Sequence, residues 1–117
     1  YNALSPVLLY QSTNTIVVLD NHLNFIYEIN GNNLPDAVQL AAAGWADQHQ
    51  LWIYDRNSQR IGLLPIHRQS IQWVSRPFTL EPVQLEPKLS RFDYSDANGT
   101  HSIDRYGRTL STNSTTN

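Results

Sequence analysis

Leu51-Trp52-Ile53-Tyr54-Asp55-Arg56-Asn57-Ser58-Gln59-Arg60-Ile61-Gly62-Leu63-Leu64 is the stretch that decides the fold. A short apolar run closes on an aspartate, the polar quartet Asp55-Arg56-Asn57-Ser58 turns the chain, and a second apolar run returns from Ile61. Runs of this length, rich in aromatic and β-branched residues, suit strands and are too short for helices. The quartet is turn chemistry, because its short polar side chains can bond to their own backbone. Working outward, the same order recurs on both sides. Ile16-Val17-Val18-Leu19-Asp20 precedes a turn and Phe25-Ile26-Tyr27, and His101-Ser102-Ile103-Asp104 precedes a turn and Thr109-Leu110. Strand, turn and strand, repeated, predict an all-β protein made of antiparallel β-meander repeats.

The later two copies align without gaps. Trp45-Ala46-Asp47 matches Tyr94-Ser95-Asp96 and Asp55-Arg56 matches Asp104-Arg105, each at an offset of 49 residues. The first copy lies 35 residues before the second, measured from Asp20 to Asp55, with Leu9-Tyr10-Gln11-Ser12 in place of the aromatic-small-Asp element. The expected units are 8–30, 38–64 and 70–110, within a single domain over 1–110. An aspartate at a strand end accepts hydrogen bonds from the amides of the following turn and so sets where the strand stops. Asp20, Asp55 and Asp104 are therefore read as structural turn anchors.

Other segments are read from punctuation. Pro35 to Ala43 has two readings: a short helix, with Asn33 as cap and Gly44 as stop, or a strand with Val38, Leu40 and Ala42 on one face. The repeat favours the strand. Ser70 to Val74 reads as a strand opening the third unit. Pro77, Pro82 and Pro87 remove backbone donors and force extended chain, so they belong to an edge or a connection. Ser111 to Asn117 contains only Ser, Thr and Asn, and 111–117 is expected to be a disordered polar tail.

Asp20-Asn21-His22-Leu23 and Asp55-Arg56-Asn57-Ser58-Gln59-Arg60-Ile61 resemble the strand-turn-strand signature of NHL-type repeats. Asp104-Arg105-Tyr106-Gly107-Arg108 is similar to the outer turn of propeller blades in uncharacterised proteins of Bacteroidetes-like bacteria. The resemblance covers about residues 8–110 and implies antiparallel blades around an axis, used as a rigid binding platform. Closing a propeller takes at least about four blades of about four strands. The chain supplies two to three, so a fragment of a longer propeller is expected, with open strand edges prone to self-association or to pairing with a protein partner.

Composition narrows the function classes. The 117 residues are 40% hydrophobic with a net charge of −2, enough apolar matter for one folded core. The eight basic residues are scattered, which gives nucleic acids and anionic membranes no electrostatic footprint. No apolar run approaches the roughly 20 residues of a membrane span. The lack of cysteine excludes disulfides, thiolate metal sites and cysteine nucleophiles. The chain starts at Tyr1, contains no methionine and shows no signal segment, which reads as a processed or partial chain. The compartment is left unassigned, leaning to the periplasm or the cell exterior.

Signatures of catalysis are few. There is no nucleophile elbow and no phosphate-cradling glycine loop. His22, His49, His67 and His101 are not at metal-ligand spacing, and no metal or cofactor is expected. Asp93-Tyr94-Ser95-Asp96-Ala97-Asn98-Gly99 has a calcium-loop composition, but its register fails and a tight turn is expected. Asn98-Gly99-Thr100 and Asn113-Ser114-Thr115 match glycosylation acceptors. Trp45, Trp52, Trp73, Tyr54 and Tyr94 could stack on sugars, but filling the space between blades is the stronger reading. Trp45, Asp47, Tyr94 and Asp96 are the candidate ligand-binding residues, and no residue is nominated as catalytic. The expectation is a non-enzymatic binding or scaffold domain. The alternative is a propeller-type hydrolase or lyase with Asp47 and Asp96 as a carboxylate pair at the axial mouth.

Overall fold

The computed structural model describes residues 6–20, 22–34, 37–66, 70–79 and 81–114, with side chains given as far as Leu110. Its strands are β1 (Val7–Tyr10), β2 (Thr15–Leu19), β3 (Phe25–Asn30), β4 (Leu40–Trp45), β5 (Gln50–Asp55), β6 (Arg60–Pro65), β7 (Gln72–Trp73), β8 (Gln84–Lys88), β9 (Arg91–Asp96), β10 (Gly99–Asp104) and β11 (Thr109–Ser114). They form three antiparallel sheets, β1-β2-β3, β4-β5-β6-β7 and β8-β9-β10-β11. Strand order in each sheet is chain order, so every connection inside a sheet is a hairpin. The all-β meander expectation holds. One turn of 3-10 helix, Gly31–Asn33, is the only helical element among the described residues.

The sheets pack face to face in chain order, and their first strands lie side by side: β1 against β4, and β4 against β8. The reason lies in β5. Successive side chains of a strand point to opposite faces. Leu51 and Ile53 therefore join Ile16, Val18, Ile29 and Leu40 in a layer between the first and second sheets. Trp52 and Tyr54 join Phe92, Ile61, Leu63 and Ile103 between the second and third. A strand covered on both faces reads as an unbroken apolar run, which is why 51–54 carries no polar alternation. The molecule measures 47 × 27 × 24 Å.

Polar contacts tie the layers together. The Asn14 side chain donates to the Val38 carbonyl at 2.6 Å and accepts from the Leu40 amide at 2.7 Å. It thereby fastens the β1–β2 turn to the start of the second sheet. Asn14 has a left-handed backbone, φ 56°, and is buried at 5% exposure. Between the second and third sheets, Trp52 Nε1 donates to the Lys88 carbonyl at 2.7 Å and the Ser90 amide to the Ala46 carbonyl at 2.9 Å. Gly44 in β4 sits so near Pro87 in β8 that a Cβ there would stand 2.9 Å from the proline ring.

Four expectations need correction. The helical reading of 35–43 fails where the chain is described: residues 37–39 are irregular and Leu40 to Ala43 lie in β4. Leu40 and Ala42 are buried, in different layers after a bulge between Leu40 and Ala42, and this burial outweighs the local helix propensity of the alanines. Pro35 and Asp36 lie outside the described residues. The strand at 70–74 closes the second sheet instead of opening the third unit, since Gly62 pairs with Trp73 and Leu63 with Gln72. The tail is ordered as far as Ser114, because Ser111 to Ser114 complete the ladder along β10. An outer strand is held by backbone bonds and needs no apolar side chains. Residues 115–117 lie outside the described ones.

The fourth correction concerns the alignment at an offset of 49. Asp55 ends the second strand of its sheet, whereas Asp104 ends the third strand of its own. The topological counterpart of Asp20 and Asp55 is Asp96, at the end of β9. Local similarity of turns had matched the two sheets one strand out of step. The proline expectation agrees with the fold: Pro87 lies in β8, an edge strand.

Candidate functional site: a cleft between the second and third sheets

Each strand-end aspartate makes the contacts its position dictates. Asp20 Oδ1 accepts from the His22 and Asn24 amides at 2.8 and 2.9 Å. Asp104 Oδ1 accepts from the Tyr106 and Arg108 amides, each at 2.9 Å. The two turns share one geometry. Both return a backbone bond from the first residue to the fifth, and both place a left-handed residue fourth, Leu23 at φ 65° and Gly107 at φ 82°. Asp55 is buried and accepts from the amides of Gln39, Asn57 and Ser58 and from the Ser58 hydroxyl. Asp47 and Asp96 close turns in the same way, through the His49 and Asn98 amides, each at 2.8 Å.

After β7 the chain continues through Pro77 beside β6 and the turn that precedes it. The Val74 amide donates to the Ile61 carbonyl at 3.0 Å and the Phe78 amide to the Gln59 carbonyl at 2.8 Å, which fixes the course of the segment. Between it and the strands β9 to β11 lies a cleft of about 490 Å³, lined by Arg76, Phe78, Tyr94, Asp96, Asn98 and Thr109, among others. Phe78 and Tyr94 line it and belong to a longer stack of rings. Phe78 stacks on Tyr54 at 5.8 Å and on Tyr94 at 4.7 Å, and Tyr94 stacks on His101 at 5.0 Å. Tyr94 is thus engaged by two neighbouring rings and is no isolated exposed platform for a sugar ring.

Asp96 sits at the mouth, 3.0 Å from His101 Nε2. Partial burial works against its charge, but the His101 ring and the Asn98 amide overcome this and hold its pKa below the usual 3.8. Tyr94 shifts the other way, as burial and then the Asp96 charge raise its pKa. Burial, then Glu81, pushes Tyr54 up to about 12. Asp93 points to the opposite side of β9, where it meets Lys88 Nζ at 3.0 Å, Arg91 Nε at 3.3 Å and the Ser102 hydroxyl at 2.6 Å. Asp93 and Asp96 thus turn away from each other and do not converge as cation ligands. Among the described residues, no group of three or more His, Asp or Glu side chains is placed to hold a metal.

Of the four residues singled out from the sequence, Tyr94 and Asp96 meet at the cleft. Trp45 is buried at 7% exposure in the layer between the first and second sheets. Asp47 lies in the β4–β5 turn, bonded to Gln50 at 2.8 Å and Arg105 at 2.7 Å. The two carboxylates of the enzymatic alternative thus have separate partners, and only Asp96 lines the cleft. Trp52 and Tyr54 fill the second layer, as the space-filling reading expected, and Trp73 flanks the first with the Arg60 guanidinium 4.0 Å above its ring. Sequence reasoning missed Arg76, Phe78 and Thr109, and read Asn98 only as part of a tight turn and as a glycosylation acceptor. Phe78 follows Pro77 in what reads as a plain connection, and nothing local ties it to Tyr94.

The sequence matches no protein-family model and no curated protein. No helix among the described residues is long and apolar enough to cross a membrane.

Proposed function

We propose that this chain is a β-propeller-type binding scaffold, built from NHL-like blades, that engages a ligand or a protein loop at the cleft beside Tyr94 and Asp96. The observation that carries the reading is the stacking of successive meanders through β1, β4 and β8, which is how blades stand around an axis. The cleft supports the binding part. It joins the rings of Phe78 and Tyr94 to a small set of polar groups, Arg76, Asp96 and Asn98, in the manner of a recognition pocket. The scaffold reading needs no catalytic residue, because the bonds of Asp96 to Asn98 and His101 account for its geometry.

Amide chemical-shift mapping against a library of small polar fragments tests this. Binding should shift the amides of Tyr94, Asp96 and Asn98, and Asp96→Asn or Arg76→Ala should weaken it at least about fivefold, a loss of about 1 kcal/mol. Shifts confined to other surfaces would refute the cleft as the site. Substrate turnover that disappears in Asp96→Asn would replace the scaffold reading with an enzymatic one.

A further inference from the structure

The second and third sheets each have four strands, and the first has three. In the larger sheets the fourth strands, β7 and β11, pair with the outer edges of β6 and β10. The corresponding edge in the first sheet is β3, and among the described residues no strand pairs with it. An unpaired strand edge presents a row of amide and carbonyl groups that can template another strand. The adjoining side chains are suitably placed. Tyr27 and Ile29 belong to the apolar layer beneath the sheet, while Phe25 and Glu28 are exposed, Phe25 at 62%.

Charge selects among occupants. The first Lys or Arg of the chain is Arg56. The first sheet and its turns therefore carry Asp20, Glu28 and His22 with no strong cation. A second copy of β3 would bring the same acidic character to the edge, which disfavours symmetric pairing. A basic strand would be drawn to it.

We infer that the outer edge of β3 captures an extended segment of a partner protein with alternating apolar and basic residues, which adds as an antiparallel fourth strand. Its apolar side chains would continue the face of Tyr27 and Ile29, and its cations would lie beside Glu28. This is β-strand addition, in which backbone bonds give affinity and alternate side chains give selectivity. The inference is independent of the cleft.

The test uses the full chain and two eight-residue peptides, one alternating valine with lysine and one alternating valine with glutamate. The lysine peptide should bind at least tenfold more tightly than the glutamate peptide and should slow hydrogen exchange at the amides of 25–30. Glu28→Lys should reverse the preference, and a version of the lysine peptide methylated on alternate backbone nitrogens should not bind. No binding of the lysine peptide at millimolar concentration, equal binding of the two peptides, or protection at β7 or β11 instead of β3 would overturn the inference. So would light scattering that shows the free chain pairing with itself through this edge, with Glu28→Lys strengthening the dimer. Asp96→Asn should leave peptide binding intact, which separates this outcome from failure of the cleft.

Discussion

Leu23 and Gly107 hold the same left-handed place in twin turns, yet only glycine adopts that backbone without a steric cost. A side chain there costs about 1–2 kcal/mol, and glycine gives back about 0.5–1 kcal/mol in chain entropy. Leu23 is 68% exposed, so its side chain contributes little packing. Leu23→Gly should therefore stabilise the protein by about 0.5–1 kcal/mol, read as a higher urea midpoint. The reverse holds at Asn14, where one side chain serves a buried carbonyl and a buried amide of the neighbouring sheet. Asn14→Ala strands both and should cost about 2–6 kcal/mol, since each buried unsatisfied group costs about 1–3 kcal/mol. A loss below about 1 kcal/mol in the same urea titration would show that water replaces the amide. Asn14 also shows why this weld was illegible. In sequence it stands in Gln11-Ser12-Thr13-Asn14, which reads as a surface turn, and its partners lie 24 and 26 residues away.

At the scale of elements, legibility followed locality. The turns at Asp20, Asp55 and Asp104 were readable because their bonds close within a few residues, and Asp47 and Asp96 obey the same rule. The strand at 51–55 was readable from its apolar run. By contrast, Leu40 to Ala43 became a strand through layers that assemble from distant segments, and Ser111 to Ser114 through a ladder with β10 that leaves no mark in composition. Turn similarity alone could not tell a second strand from a third. The close approach of β4 and β8 is also non-local and gives a test. Gly44→Val would drive a side chain into Pro87 and should destabilise by about 1–3 kcal/mol, the usual cost of overpacking. The Trp52 indole hydrogen bond to Lys88 should loosen with it, seen as faster exchange of the indole proton.

For the whole molecule, acid is the informative stress. Asp20, Asp47, Asp93, Asp96 and Asp104 all have pKa values below the ordinary 3.8. A carboxylate depressed by folding stabilises the native state above its unfolded pKa and loses that contribution as pH falls through the folded one. The melting temperature should thus be insensitive to these groups above about pH 5 and fall progressively below 3.8. Asp93→Asn, which removes the partner of Lys88 and Arg91, should lower the melting temperature at neutral pH and flatten the acid decline. An unchanged profile would assign those contacts no net energy. The candidate site was half legible for a related reason. Tyr94 and Asp96 stand in a strand and turn visible in the sequence, whereas Arg76 and Phe78 reach them only after the second sheet has packed on the third. That packing also equips the protein with optical reporters. Trp45 is enclosed by one apolar layer and Trp52 by the other, so two single-indole variants would let emission wavelength record the opening of each seam separately during denaturation.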